Sequence, residues 1–309
     1  MLRKGRSISS QLPQRGVRTC CWLVAAWLVL LPTFASAELC TLYDASSRQQ
    51  KELLAQLDGV AAIRHYTLEQ HYGQQLAACQ LVITLGSAAA ERMAKHPGSV
   101  LHAMLRHEQL LRIYPQPSEW DRGAVYSDTP LSDYMSLIDV TMPDRRRILV
   151  FGSERTRPLY EPLSQAARRV GRQLEMITYR SDLPVDELLR RHAGEDAVLL
   201  ILPDANVFNS DTARPMIMAA YQRAVPMVTY APGLVRAGSL MAVYRAPADQ
   251  AAELQRHISH WQQQGRLPNA THAPEYSVSI NYQLARAMRL TIQAESLVLD
   301  AMRKVDNHE

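Results

Sequence analysis

Short apolar runs alternate with amphipathic stretches along most of this chain. In the first half, residues 39–43, 62–66, 79–85 and 110–114 read as strands, with helical stretches near 49–57, 68–77 and 87–95 between them. A proline-rich, irregular stretch follows over 115–130, then a helix to about Val140, and after Pro143 a second alternating set begins at Ile148. Its strands are 148–151, 174–179, 197–202, 227–230 and 239–244, and its cleanest helix is 158–170, with Leu159, Leu163, Ala166, Ala167 and Val170 on one stripe and Gly171 placed to stop it. Residues 249–264 form an amphipathic helix with Leu254, Ile258 and Trp261 inward. A last strand, 277–280, leads into a helix over 282–289 and a charged tail with little sign of further structure. Strands and helices in alternation predict an α/β fold with parallel sheets, and the break near residues 115–143 predicts two lobes.

Residues 197–238 carry the most functional information. The first strand is an unbroken apolar run, as a strand buried on both faces requires. Pro203 ends it and a polar loop, 204–210, follows. Thr212 as N-cap places Pro215 at the third helical position, where no intrahelical donor is needed. Met216, Ile217, Ala220, Tyr221 and Ala224 then fall on one face, which predicts that this face packs on a sheet.

Ligands of open parallel sheets sit beyond the carboxyl ends of the strands. Three polar loops stand at such ends. Gly86-Ser87 opens a helix, where Ser87 and nearby backbone donors suit a carboxylate or simply begin the helix. Gly152-Ser153-Glu154 has the same two readings. Asp204 and Asn206 suit a ligand ammonium, or fix their turn by side-chain bonding to the backbone.

Charge and composition narrow the function class. Basic residues Arg3, Lys4, Arg6, Arg15 and Arg18 precede an apolar run, 20–31, and then Ala35-Ser36-Ala37, a secretory signal pattern with cleavage after Ala37; the alternative is an uncleaved anchor. The pI near 8.9 is misleading, because the 34 Lys and Arg less those five leave 29 basic against 30 acidic residues. Nucleic acid is therefore not expected as a partner. Arg145-Arg146-Arg147 reads as a solvated connector. Without the signal, Cys40 and Cys79 remain, each opening a strand candidate, and strand order 2-1-3 makes those strands neighbours; a disulfide and two buried thiols are both compatible.

No phosphate-cradling glycine loop, G-x-S-x-G elbow, H-E-x-x-H pair or C-x-x-C occurs. His257 and His260 have no ligand companion nearby in sequence and read as a wet helix face. No metal, cofactor or catalytic residue is assigned, and the chain is not expected to be an enzyme.

The segments GAVYSDTPLSDYMSLIDVTMPDRRRILVFGSE, LPDANVFNSDTA, AVPMVTYAPGLVRAGSLMAVY and VSINYQLARAMRLTI resemble the periplasmic substrate-binding proteins of ABC transporters, in the group that includes aromatic amino-acid binders. The similarity extends from Gly123 to Ile292, and residues 38–122 match in pattern. It implies a type I periplasmic-binding-protein fold, two Rossmann-like lobes with parallel sheets joined by a hinge, closing on a small solute. The implied lobes are 38–126 plus 246–275 and 127–245 plus 276–293, after a signal peptide, 1–37, and before a tail, 294–309.

Ligand contacts implied on the second lobe are Ser153, Asp204 and Asn206, with Ser87 opposite; Tyr230 lines the cleft or packs at the hinge. Where the family carries a glycine-rich loop in the first lobe, this chain has PQPSEWDRGAVYSD, and Asp204 and Asn206 contact a ligand only if the segment 115–126 supplies an opposing wall. The resemblance implies a monomeric periplasmic protein of a Gram-negative cell serving an inner-membrane permease. The alternative is the same fold redeployed to contact a membrane receptor.

Overall fold

The structure, a computed structural model, describes residues 38–57, 62–70 and 73–306, so the predicted signal segment lies outside the described residues. From the amino end run β1 (Leu39–Tyr43), α1 (Arg48–Leu57), β2 (Ile63–Thr67), α2 (Gly73–Ala77), β3 (Leu81–Leu85), α3 (Ser87–Arg92), β4 (Ser99–Leu105), α4 (His107–Ile113) and β5 (Arg122–Tyr126). The chain then crosses into a second set: α5 (Leu131–Thr141), β6 (Arg147–Gly152), α6 (Tyr160–Arg169), β7 (Gln173–Thr178), α7 (Val185–His192), β8 (Ala197–Leu200), α8 (Ala213–Gln222), β9 (Met227–Thr229), α9 (Pro232–Arg236) and β10 (Met241–Tyr244). It returns through α10 (Pro247–Gln264) and β11 (Thr271–His272), and crosses again to β12 (Ser277–Ile280), α11 (Tyr282–Ala287) and α12 (Glu295–Asp306).

Two six-stranded sheets result, ordered β11-β5-β4-β3-β1-β2 and β12-β10-β9-β8-β6-β7. All pairings are parallel except β10 with β12. Each sheet is covered on both faces, which is why its central strands are mostly apolar on both, with Thr41, Thr84, His102 and Thr229 buried among them. On β6, Ile148 and Val150 join a core with α5, α6 and α12, while Leu149 and Phe151 point to the opposite core with α7 and α8.

Several sequence expectations change. The apolar run at 110–114 belongs to helix α4, and the strand is the preceding segment, β4. The Gln109 side chain accepts the Arg106 N–H at 2.9 Å and fixes the helix start, so capping overrides the β-like composition of LLRIY. Strand β5 lies inside the stretch expected to be irregular. The stripe of α8 is rotated: Met216, Ala219 and Ala220 are buried, and Tyr221 is about half exposed. His257 is buried beside Glu253 at 3.2 Å and does not form a wet face.

The expected structureless tail holds α12, whose Val298 and Met302, four residues apart, enter the second core. Charges on its other face hid a two-residue apolar stripe. Cys40 and Cys79 are bridged, with Cα atoms 6.0 Å apart. Leu39 and Leu81 are paired across β1 and β3, which brings Cys79, two residues before β3 begins, beside β1.

The three crossings lie between Tyr126 and Leu131, Tyr244 and Pro247, and His272 and Ser277. One side chain joins them. Arg245, in the second, pairs with buried Asp133 just after the first (2.6 Å), donates from Nε to the Ala273 carbonyl of the third (2.7 Å), and lies over the Tyr276 ring at 5.1 Å. Thr129 of the first crossing adds a hydrogen bond to the Val243 carbonyl at 3.3 Å.

Candidate functional site

The strand order reverses at β1/β3 in one sheet and at β6/β8 in the other, and polar loops follow the carboxyl ends of those strands. On the second sheet the two loops are joined. Ser153, after β6, donates its hydroxyl to Asp204 Oδ2 at 2.6 Å, and Asp204 Oδ1 accepts the Asn206 N–H at 3.0 Å. Asp204 is 1% exposed, and its carbonyl receives the Val207 and Phe208 N–H groups. This carboxylate is committed to the turn and to the neighbouring loop, the arrangement of the turn-fixing reading; Asn206 is exposed above it.

The Ser153 loop is held from within. Ser153 N–H donates to Thr156 Oγ1 at 2.9 Å, and Ser153 Oγ accepts the Arg155 N–H at 3.1 Å. Arg155 is thereby directed at the other lobe, where it pairs with Glu108 of α4 at 3.1 Å. Glu108 also receives Arg106, from the loop after β4, at 2.7 Å. The carboxyl ends of the two sheets therefore face each other in contact.

Half-buried Tyr230, after β9, has its phenol raised above the ordinary value by burial, and the Arg106 charge pulls the other way. Tyr134, fully buried at the start of α5, is raised likewise, burial first. On the first lobe, the Tyr126 ring lies between His107 at 5.0 Å and His272 at 4.9 Å. Asp128 accepts the His107 N–H at 3.1 Å and faces His272 Nε2 at 3.5 Å.

Ser87 is the first residue of α3, and the cap position belongs to Gly86 at φ +83° and ψ 171°, a backbone essentially restricted to glycine. The Gln50 side chain covers Gly86 and accepts the Asp44 N–H at 2.7 Å. Ser87 thus stands on the edge of the first lobe, apart from the joined Ser153, Asp204 and Asn206.

The segment 115–126 does not supply the opposing wall on which contacts from Asp204 and Asn206 depended. Its first part lies at the amino end of β4 and β5, where Asp121 accepts from Ser99 and from the Leu267 N–H, and Trp120 lies 5.3 Å from the Arg122 guanidinium. Only Tyr126 reaches the cleft, because α4 carries the chain from the carboxyl edge of the sheet back to its amino edge before β5 begins.

Sequence reasoning did not single out Arg106, Glu108, Arg155, Asp128 or His272. Their signal was present: had 99–105 been read as a strand, Arg106-His107-Glu108 would have stood at its carboxyl end. A concavity of about 1110 Å³ lies elsewhere, at the amino edge of the second sheet, lined by Arg145, Asp196, Arg223 and Arg289 among others. The only group of metal-ligating atoms found together among the described residues is Glu38 with the bridged Cys40 and Cys79.

No protein-family model matches the sequence, and no curated protein matches it. Among solved structures, the chain is similar to the ligand-free, open form of a substrate-binding protein with adhesive properties from Clostridium difficile, at 10% identity and TM-score 0.67, over 84% of this chain and 96% of that one. It is also similar to an ABC domain in complex with L-Trp from Streptococcus pneumonia, at 15% identity and TM-score 0.57, over 86% and 98%. A third is a periplasmic ribose ABC transporter structure from Conexibacter woesei, at 14% identity and TM-score 0.53, over 85% and 98%. At these identities the likeness is one of fold: two α/β lobes in the type I periplasmic-binding-protein arrangement.

Proposed function

We propose that this chain, which has the two-lobe fold of type I periplasmic binding proteins, binds a small solute between its lobes and presents the closed form to the inner-membrane permease of an ABC-type uptake system. The observation that supports this most directly is the facing of the two carboxyl strand edges. Arg155 of one lobe and Arg106 of the other meet on Glu108, and the Arg106 charge acts on the Tyr230 phenol, with the lobes joined by three short crossings. Such a site binds and releases, and it needs no chemistry of its own. Ser87 on one edge and Asn206 and Tyr230 on the other are the proposed contacts, and Ser153 with Asp204 holds the second-lobe loop in place. An amino-acid-like solute fits the small, polar edges. The protein acts as a monomer in the periplasm once residues 1–37 are removed.

Thermal-shift measurement over a panel of amino acids and other small solutes, with small-angle scattering on the hits, tests this. Binding is expected to raise Tm and to reduce the radius of gyration as the lobes close. A panel that produces neither change counts against it.

A second reading, the same fold contacting a membrane receptor, is supported by the Arg155–Glu108 pair, which links the lobes directly. Pull-down from a periplasmic extract separates the two: a receptor recovered without a permease, and no small molecule in native mass spectra, favours the second.

A further inference from the structure

Two guanidinium groups, one from each lobe, meet on a single carboxylate oxygen. Arg106 donates to Glu108 Oε1 through Nη2 at 2.7 Å and Nε at 3.2 Å, and Arg155 donates to the same oxygen through Nη2 at 3.1 Å. Two guanidiniums offer ten N–H donors between them, far more than one oxygen accepts. The other acids at this edge are engaged elsewhere. Asp204 is buried on Ser153 and Asn206, Asp128 faces His107 and His272, and Glu154 pairs with Arg157. Arg155 is fixed by the internally bonded turn from Ser153 to Thr156, whereas Glu108 is about a third exposed at the start of a seven-residue helix. Ion pairs this exposed are worth roughly 0.2–1 kcal/mol, so Glu108 is readily exchanged. A solute carboxylate placed in the same fork makes charge-assisted, bidentate contacts that Glu108, holding on by one oxygen, does not.

We infer that Glu108 occupies the place of a ligand's acidic group, and that the cleft takes a small carboxylate-bearing solute clamped between Arg106 and Arg155. This rests on the reading of the cleft as a solute site and specifies its chemistry. Closing the lobes brings the two cations onto the solute, so charge recognition and closure are one event. In the empty protein Glu108 holds the same cations in register at little cost.

The test is calorimetric titration at low ionic strength with benzoate, phenylacetate and succinate, each against its neutral amide. The acids are expected to bind and the amides not. Arg155→Gln is expected to weaken the acids by about tenfold, with Arg155→Lys between. Glu108→Gln, which removes the internal competitor, is expected to tighten them by up to about fivefold. All three substitutions are at positions about a third exposed, and unliganded melting curves check the fold. Equal binding of acids and amides, weaker binding in Glu108→Gln, or no acid bound even by that variant overturns the inference. If neutral solutes still compact the protein, the solute cleft stands and only its proposed charge selectivity falls; if no solute of any charge does, the cleft reading itself has failed.

Discussion

Replacing Arg245 with methionine removes a side chain that links the second crossing to the third and to Asp133, just after the first. Arg245 and Asp133 are 4% and 7% exposed. The substitution takes the Arg245 cation away from buried Asp133, removes the Nε donor to the Ala273 carbonyl, and ends the contact with the Tyr276 ring. Removing one partner of a buried pair costs about 3–5 kcal/mol, against a total stability of order 5–15 kcal/mol. The double variant Arg245→Met, Asp133→Asn removes both charges and is expected to recover much of that loss, giving an interaction of about 2–3 kcal/mol. Arg245→Lys keeps a charge and loses the fork, and should fall between. Urea unfolding at pH 7 measures each ΔΔG, and scattering profiles report the lobe arrangement. A cost below about 1 kcal/mol for Arg245→Met, or no recovery in the double variant, would refute the assignment of Arg245 as the tie between the crossings.

Gly86→Ala places a side chain where φ is +83° and its Cβ would lie 2.8 Å from the Gln50 amide. A loss of about 1–3 kcal/mol is expected in urea, and an unchanged midpoint would contradict this. Burial, then the Arg122 charge, brings His102 down from 6.5 to about 3. The unfolded chain therefore takes up a proton near pH 6.5 that the folded one refuses. This group's stabilisation is full above that pH and declines as pH falls, by up to about 1.4 kcal/mol per unit. His102→Gln should show a shallower loss of stability on acidification from about pH 6 to 4, and parallel curves would exclude this role. Reducing the Cys40–Cys79 bridge, which spans 39 positions, should lower stability by about 4 kcal/mol on the chain-entropy account; denaturation with and without reductant reads it directly. Met302→Ala should cost about 2–5 kcal/mol by opening a core cavity, which places α12 in the fold; a surface-like loss of under about 0.5 kcal/mol would remove it.

The second lobe was the more legible in sequence because its central strands are unbroken apolar runs and its helix α6 ends at a clear stop. Apolar runs such as 197–200 and the Gly171 stop after α6 have few alternative readings. The first lobe misled where composition and environment part. β4 carries His102 in its middle, a residue that interrupts an apolar run yet is hydrogen-bonded to Thr84 at 2.7 Å and Tyr114 at 3.0 Å. Meanwhile α4, which has no fully buried residue, looks like a strand. That single exchange hid the end of β4 and with it Arg106 and Glu108. The Arg245 tie across the hinge was invisible for a different reason: Asp133, Arg245 and Ala273 are far apart in sequence, and nothing local to any of them announces the others.

The return of α10 and β11 to the first sheet has a consequence for how the chain acquires its structure. The outer strand of that sheet and the helix bearing Leu254, Ile258 and Trp261 are synthesised only after the first five strands of the other sheet, β6 to β10. Until then the face formed by α1, β4 and β5 has no cover, so the lobe made first cannot be finished first. Contacts this distant in sequence slow folding and prolong the exposure of apolar surface. A nascent chain that ends before Pro247 lacks the outer strand and the covering helix of its first lobe, and is expected to expose apolar surface and to aggregate more readily than the full chain.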